Sequence, residues 1–129
     1  MIKILLVKKY SGDYAKLLSE YLNNLEITHE IFPFDDVKSF RDCSNCEKEF
    51  DLAIFGYRFG VGDVLEEETL KSVGSSVGSE KVVILAAETQ IPFKDIPFFN
   101  TFELQNLAYF IRHKHYENTD LGSETSKLQ

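Results

Sequence analysis

The sequence is poor in cysteine and in basic residues. Its two cysteines, Cys43 and Cys46, are too few to cross-link a small secreted scaffold, and they fit a reducing compartment. Lysine and arginine together number 14 against 21 aspartates and glutamates, so the formal net charge is −7. Proteins that track nucleic-acid phosphates normally carry a basic face. The charge therefore argues against a nucleic-acid partner and favours basic patches on a protein partner.

The sequence also lacks a long hydrophobic run. No segment approaches the roughly 20 apolar residues that a membrane span requires. The apolar stretch at the N-terminus, Met1–Val7, is too short for a signal peptide. We therefore expect a cytoplasmic protein with no membrane partner. No P-loop motif and no nucleophile triad is discernible, so we assign no catalytic residue.

What the sequence does contain is an alternation of apolar runs with helical patterns. Its 129 residues give room for one domain. Apolar residues at helical spacing predict about four helices, the firmest over residues 14–25. This order predicts an α/β three-layer sandwich around a parallel sheet, with the first run as its central strand. The predicted strands are residues 2–7, 28–34, 52–55, 82–87 and 96–99.

Local signals predict where two of the helices begin. Asp63 with Glu66, and Asn100 with Glu103, have the spacing of a capping box. Only residues 88–95 separate the fourth strand from the fifth. A crossover helix usually needs at least about ten residues. We therefore expect the fourth crossover helix to be shortened or missing.

The boundaries of the domain follow from the polar segments. Residues 117–129 are polar and carry no apolar stripe, which predicts a disordered tail behind a domain of residues 1–116. Residues 74–79 are rich in glycine and serine, which predicts a flexible turn. The form of residues 35–50, where apolar periodicity is poor, is left open.

Ligands of such folds bind beyond the carboxyl ends of the strands. In the first loop there, the backbone N–H groups and the dipole of the following helix predict an anion site. Ser11 would add a hydroxyl and Gly12 would allow a close approach of the backbone. Alternatively, Ser11 or Asp13 simply caps the helix. The three loops that this rule selects are residues 8–14, 56–63 and 87–94.

The second loop combines flat side chains with glycines. Tyr57 and Phe59 offer apolar faces, while Gly60 and Gly62 would let the main chain approach a ring system. The loop could form one wall of a flat cofactor site. It could equally be a glycine-rich turn whose two aromatic side chains cover the sheet edge.

Several segments resemble flavodoxins. Residues 11–18, Ser-Gly-Asp-Tyr-Ala-Lys-Leu-Leu, resemble the phosphate loop and first helix of that family. Residues 50–55 and 57–64 are similar to the third strand and flavin loop of the NrdI family, small flavodoxins that serve class Ib ribonucleotide reductase. Residues 96–104 resemble that family's last strand, which ends in Phe-Glu-Leu. The resemblance implies a flavodoxin-like sandwich with a five-stranded parallel sheet.

The same resemblance implies non-covalent FMN binding, with the phosphate at the first loop and the ring at the second. It implies an electron-transfer protein that supplies electrons or a flavin-derived oxidant to the metal-containing subunit of a ribonucleotide reductase. Three features depart from the family. Asp13 and Tyr14 stand where it has Asn and Thr, residues 87–90 stand where it has a Gly-Asn loop, and the helix that should follow that loop is missing. The implied cofactor-binding residues are Ser11, Gly12, Asp13, Tyr14, Tyr57, Arg58, Phe59, Gly60, Gly62 and Thr89.

A second resemblance points to another class of function. Residues 51–58 resemble the third strand of a response-regulator receiver domain. Gly56 stands where the phosphorylated Asp of that family belongs, and Lys8 and Lys9 stand where its acidic metal-binding pair belongs. This resemblance implies a pseudo-receiver that docks proteins without phosphorylation. A flavodoxin-like domain that has lost its cofactor but keeps a partner surface is a related alternative.

Other polar residues are interpreted as structural or incidental. Cys43 and Cys46 form a single C-x-x-C, and a zinc site would need two more ligands. The run Glu66–Glu68 opens a helix, where acidic side chains compensate the dipole. The three histidines are interpreted in the same way: His29, His113 and His115.

Overall fold

The structure is a computed structural model that describes residues 1–43 and 49–117. The strands, in chain order, are β1 Ile2–Val7, β2 His29–Phe34, β3 Leu52–Phe55, β4 Arg58–Gly60, β5 Asp63–Val64, β6 Val82–Ala86 and β7 Phe98–Asn100. Five of them form one parallel sheet in the order β2-β1-β3-β6-β7, and β4 and β5 form a separate antiparallel hairpin. Counted along the chain, the parallel strands have the order 2-1-3-4-5, which is that of flavodoxin-like folds.

The predicted fold class is therefore confirmed. All four neighbouring strand pairs in the sheet are parallel, and each predicted strand is present. One detail was wrong, because β3 rather than β1 occupies the middle of the sheet. The second strand lies at an edge, as its shorter apolar pattern and Pro33 suggest.

Alternation along the strands divides the core between two faces of the sheet. The helices are α1 Ser11–Asn24, α2 Val37–Arg41, α3 Glu67–Val77 and α4 Leu104–Ile111, which continues as a π-helix over Arg112–Glu117. Ile4 and Leu6 of β1 pack with α1 and α4, whereas Leu5 and Val7 pack with α3 and α2. We call these the first face and the second face. Successive side chains of a strand point to opposite sides, so one apolar strand serves both layers.

The start of α3 differs from the prediction. The helix begins at Glu67 and runs to Val77. Asp63 belongs to β5, and Glu66 precedes the helix without a capping hydrogen bond from its side chain. The predicted capping box is therefore wrong, because residues 58–64 fold back into a hairpin before the helix can begin.

The glycine of the predicted turn at residues 74–79 lies inside a helix instead. Gly74 is buried within α3, and a Cβ placed there would lie 3.6 Å from Cγ2 of Val82. That distance is an ordinary van der Waals contact, so the packing of α3 on β6 does not require glycine at this position. The chain turns only after the helix, at Gly78, whose φ of 104° favours glycine.

The connection between β6 and β7 contains no helix, as predicted. The chain crosses from Ala86 to Phe98 through bends and irregular backbone, and Phe93 of this segment is buried in the core of the second face. Further on, the Asn100 side chain accepts a hydrogen bond from the N–H of Phe102 at 2.9 Å, so Asn100 caps the short 3₁₀ helix Thr101–Glu103 and does not form the predicted capping box with Glu103. Glu103 makes no capping hydrogen bond.

Two segments fall outside this description. Cys46 and residues 118–129 are not among the described residues, so the interpretations of the C-x-x-C and of the tail stay predictions. Among the helices that the structure does describe, none combines the length and the apolarity needed to cross a membrane.

Candidate functional site at the carboxyl edge of the sheet

The three predicted loops meet at the carboxyl edge of the sheet. Lys8, directly after β1, contacts Gly56, directly after β3. Arg58 of the second loop forms an ion pair with Glu88 of the third loop. The edge chosen from the sequence is therefore a continuous surface formed by residues of all three loops.

Lys8 occupies the space above Gly56. Its side chain is only 7% exposed, and its backbone N–H donates to the carbonyl oxygen of Phe34 at 2.9 Å. A Cβ on residue 56 would lie 2.8 Å from Cγ of Lys8 and 3.2 Å from its Cβ. Atoms do not approach that closely without a shift. While the stem of Lys8 occupies this space, only glycine fits at position 56, and any larger residue would have to push the Lys8 side chain aside.

The charge of Lys8 is held close to an aromatic ring and a carboxylate. Its Nζ lies 4.7 Å from the centroid of the Tyr14 ring, a distance at which a cation is attracted to the ring face. Burial lowers the pKa of Lys8, and the negative charge of Glu88 partly opposes this by raising it. Glu88 therefore balances two cations, Lys8 and Arg58.

A carboxylate from the loop after β2 binds the start of α1. The N–H and the hydroxyl of Ser11 both donate to Oδ1 of Asp35, at 3.0 and 2.8 Å. Tyr10 precedes the helix in the left-handed conformation and makes no capping hydrogen bond with its side chain. Ser11 is therefore not a cap, and a phosphate bound to its N–H would have to displace Asp35. The assignment of Ser11, Gly12, Asp13 and Tyr14 to a phosphate stays a prediction.

The second loop is a hairpin rather than an open glycine-rich loop. Gly62, with a φ of 73°, forms the turn between β4 and β5. The Tyr57 ring packs edge-on against Phe93 with centroids 6.0 Å apart. Phe59 and Gly62 line a different groove of about 620 Å³ beside α2.

The ring-binding residues are thus spread over two grooves. Arg58 places its guanidinium 5.8 Å from the centroid of the Tyr57 ring, besides pairing with Glu88. Gly60 lies within the hairpin, and Thr89 is exposed after β6. Neither FMN nor a flavin ring position is tested by this geometry, and both stay predictions.

The residues at this edge do not fit a divalent metal. Mg²⁺ and similar ions take oxygen ligands, carboxylates above all. Asp35 already accepts from Ser11, Glu88 is paired with Arg58, and the ammonium group of Lys8 adds a positive charge. Over residues 1–43 and 49–117, no group of three or more His, Cys, Asp and Glu side chains could hold a metal ion.

Sequence reasoning missed two carboxylates of this site. Asp35 follows β2 directly, so its position at the carboxyl edge could have been inferred once that strand was placed in the parallel sheet. Glu88 lay in a selected loop, but nothing in the sequence indicates its pairing with Arg58, which is 30 residues away. From the sequence, Lys8 and Lys9 are positive charges beside the first loop and replacements for an acidic pair, but nothing there indicates the contact of Lys8 with Gly56.

Comparison with known proteins gives structural likeness alone. No protein-family model matches the sequence, and no curated protein matches it. Among solved structures, the phosphorylated cyanobacterial phytochrome response regulator RcpA is similar with a TM-score of 0.61 and 17% identity, covering 90% of this chain and 92% of its own. The Mn²⁺-bound response regulator Rcp1 is similar with a TM-score of 0.56 and 15% identity, covering 88% and 94%.

These likenesses correct the NrdI interpretation. RcpA and Rcp1, which share the fold over about nine tenths of the chain, are response regulators and not flavoproteins. The interpretation as an NrdI-like flavoprotein that transfers electrons and activates a ribonucleotide reductase was therefore wrong. What holds is the flavodoxin-like fold, which response-regulator receivers share.

Proposed function

We propose that this protein is a pseudo-receiver, a cytoplasmic protein-interaction domain that works without phosphorylation, metal or flavin. The observation that carries the proposal is the stem of Lys8 above Gly56. Transfer of a phosphoryl group to a receiver needs a carboxylate at the position of Gly56 and a metal held by acidic neighbours. Here the carboxylate is missing, its space is filled, and the nearest charge is positive.

Fixed charges and hydrogen bonds take the place of a chemical switch at this edge. Lys8 places an ammonium group at this edge, Glu88 lies near it and pairs with Arg58, and Asp35 binds the start of α1. A domain of this kind presents one surface at all times. The response regulators with a similar fold are described as phosphorylated or Mn²⁺-bound, and neither state is expected for this chain.

The first experiment asks whether the residues at positions 8 and 56 prevent phosphorylation and metal binding. The wild-type protein, incubated with acetyl phosphate and Mg²⁺, should show no mass increase, and Mn²⁺ should not change its melting temperature. The double variant Lys8→Asp/Gly56→Asp replaces the ammonium group with a carboxylate and adds a second carboxylate at position 56. We expect it to bind Mn²⁺ and to gain one phosphoryl group.

The second experiment separates this function from flavin binding. Wild-type protein mixed with FMN at low salt should show neither a retained yellow absorbance after gel filtration nor thermal stabilisation. Retained FMN, or phosphorylation of the wild type, would contradict the proposal. A protein partner captured by photo-cross-linking should then bind purified protein with an affinity that acetyl phosphate leaves unchanged.

A further inference from the structure

The second face of the sheet contains a groove where a helix would be expected. Parallel strands are usually connected by an α-helix, but the chain between β6 and β7 has none. Beside this connection lie two adjoining cavities of about 510 and 520 Å³ that share Glu67 and Phe93. We call them together the α3 groove. It is bounded by Glu67, Leu70 and Ser75 on one side and by Pro92, Phe93 and Ile96 on the other.

The floor of the α3 groove is apolar. Leu70, Val82 and Phe93 reach it from the core of the second face, and Ile96 packs against that core while half exposed. Gly74 also lines the groove and adds no side chain to it. Ile96 is the most exposed of the four apolar side chains of the floor, so an apolar side chain in the groove would bury it first.

The rim of the α3 groove is acidic. Five carboxylates line it against two ammonium groups, and one of the latter, on Lys71, already lies 3.8 Å from Glu67. Glu66, Glu67 and Glu68 also compensate the dipole of α3, but their side chains are exposed and line the groove. The charged residues are Glu66, Glu67, Glu68, Glu80, Asp95, Lys71 and Lys94.

We propose that the α3 groove binds an amphipathic, basic helix of a partner protein. The fold favours a helix because the groove lies beside the connection in which a crossover helix is missing. The floor favours apolar side chains at i, i+3, i+4 and i+7, and the rim favours lysine or arginine beside them. This inference rests on the proposed function as an interaction domain and names the kind of partner.

The test uses two synthetic helices of equal length as probes. Both carry leucine at i, i+3, i+4 and i+7, and their remaining positions are lysine in one and glutamate in the other. Fluorescence anisotropy gives the dissociation constants, and amide shifts in ¹⁵N spectra of the full chain locate the site. We expect the lysine helix to bind at least about tenfold more tightly, with shifts confined to the segments that line the groove, residues 57, 64–75, 79–82 and 91–96.

Matched variants separate the groove from the general acidity of the protein. Glu66→Gln/Glu67→Gln/Glu68→Gln should weaken binding of the lysine helix by about tenfold. Glu20→Gln/Glu26→Gln/Glu30→Gln removes the same charge from exposed positions elsewhere and should leave it within about twofold. The two triple variants therefore differ only in where the charge is lost.

A second pair of variants tests the shape of the groove. Ser75→Trp adds a bulky side chain at the groove and should abolish binding of the lysine helix. Asn106→Trp adds the same side chain at an exposed position of α4, which covers the first face, and should have no effect. Thermal melting confirms that each variant is folded.

Three results would overturn the inference. Equal losses in both triple variants would mean that only net charge attracts the peptide. Amide shifts centred on Phe98–Asn100 would mean that the peptide pairs with the edge strand β7. No detectable binding of the lysine helix would mean that the groove does not bind a basic helix. In each case the proposed function still stands if wild-type protein takes up neither phosphate nor FMN, whereas uptake of either would remove both proposals.

Discussion

The two faces of the sheet are covered in different ways. On the first face, α1 and α4 contact each other and bury Leu22, Leu107 and Ile111 completely, and Lys8 packs against Tyr14 at its carboxyl edge. On the second face, the five-residue α2, α3 and a segment without a helix leave the α3 groove open. The same strands serve both faces, so the difference between the faces comes from the helices that cover them.

The largest expected difference lies in the cores under the two faces. Leu107→Ala should lower the free energy of unfolding by about 3–5 kcal/mol, because the closed first face cannot collapse into the cavity. Leu70→Ala, beside the groove, should cost only about 2–3 kcal/mol. Urea denaturation measures both. Equal losses would show that the second face is packed as tightly as the first.

The contact of Lys8 with Gly56 should give the next largest effect. Gly56→Ala should cost about 1–3 kcal/mol by overpacking, and Lys8→Ala in the same chain should recover part of the loss. Gly12→Ala is the matched control, because no atom lies within 4 Å of the added Cβ and alanine favours a helix. A neutral Gly56→Ala would contradict the close contact, and a double-mutant cycle measures the coupling.

The two neighbouring aspartates after β2 each bind the start of a helix, Asp35 on the first face and Asp36 on the second, so their substitutions compare the two faces. Asp35→Ala leaves the N–H and hydroxyl of Ser11 without their partner, which should cost about 1–2 kcal/mol. Asp36 accepts from the N–H of Ser39 at 2.7 Å at the start of α2, and Asp36→Ala should cost less because α2 has only five residues and no buried side chain. Chemical denaturation of the two variants compares them, and the reverse order would contradict the stronger anchoring of the first face.

The smallest effect concerns the charge of Lys8. Lys8→Met keeps the stem and removes the charge, so the melting temperature should rise. The rise should stay below about 4 °C, which corresponds to a stabilisation of about 1 kcal/mol. Burial lowers the pKa of Lys8 in the folded state below its usual 10.5, and the unfolded chain therefore binds more protons between these two pKa values. Wild-type stability should rise relative to the variant as the pH approaches 10.5. An advantage of Lys8→Met that grows with pH would contradict this.

Most of the fold could be predicted because its strands are encoded locally. Apolar runs such as residues 2–7 and 82–87 are long enough to cross the core and carry too few polar residues to lie at the surface. The hairpin at residues 58–64 was missed because Asp63 and Glu66 match a local capping pattern that the turn at Gly62 overrides. Glycine likewise misled at position 74, which lies inside α3 and not in a turn.

The candidate site could be predicted only in position. Strand polarity places the three loops at one edge, but which side chains meet there depends on contacts between distant residues. Asp35 reaches Ser11 across 24 residues, and Lys8 reaches Gly56 across the neighbouring strand. Glycines and aromatics at residues 57–62 suggested a flavin, although the structure uses them for a hairpin and for packing against Phe93.

Pro33 in the edge strand β2 limits how copies of this protein can aggregate. A bare sheet edge invites a strand from another molecule, because its N–H and carbonyl groups have no neighbour. Proline has no N–H to offer, so an incoming strand would lose a hydrogen bond opposite Pro33. At the far edge, β7 has only three residues, too short for a stable ladder. Crowded or partly unfolded preparations should therefore resist growth into sheet-like fibres.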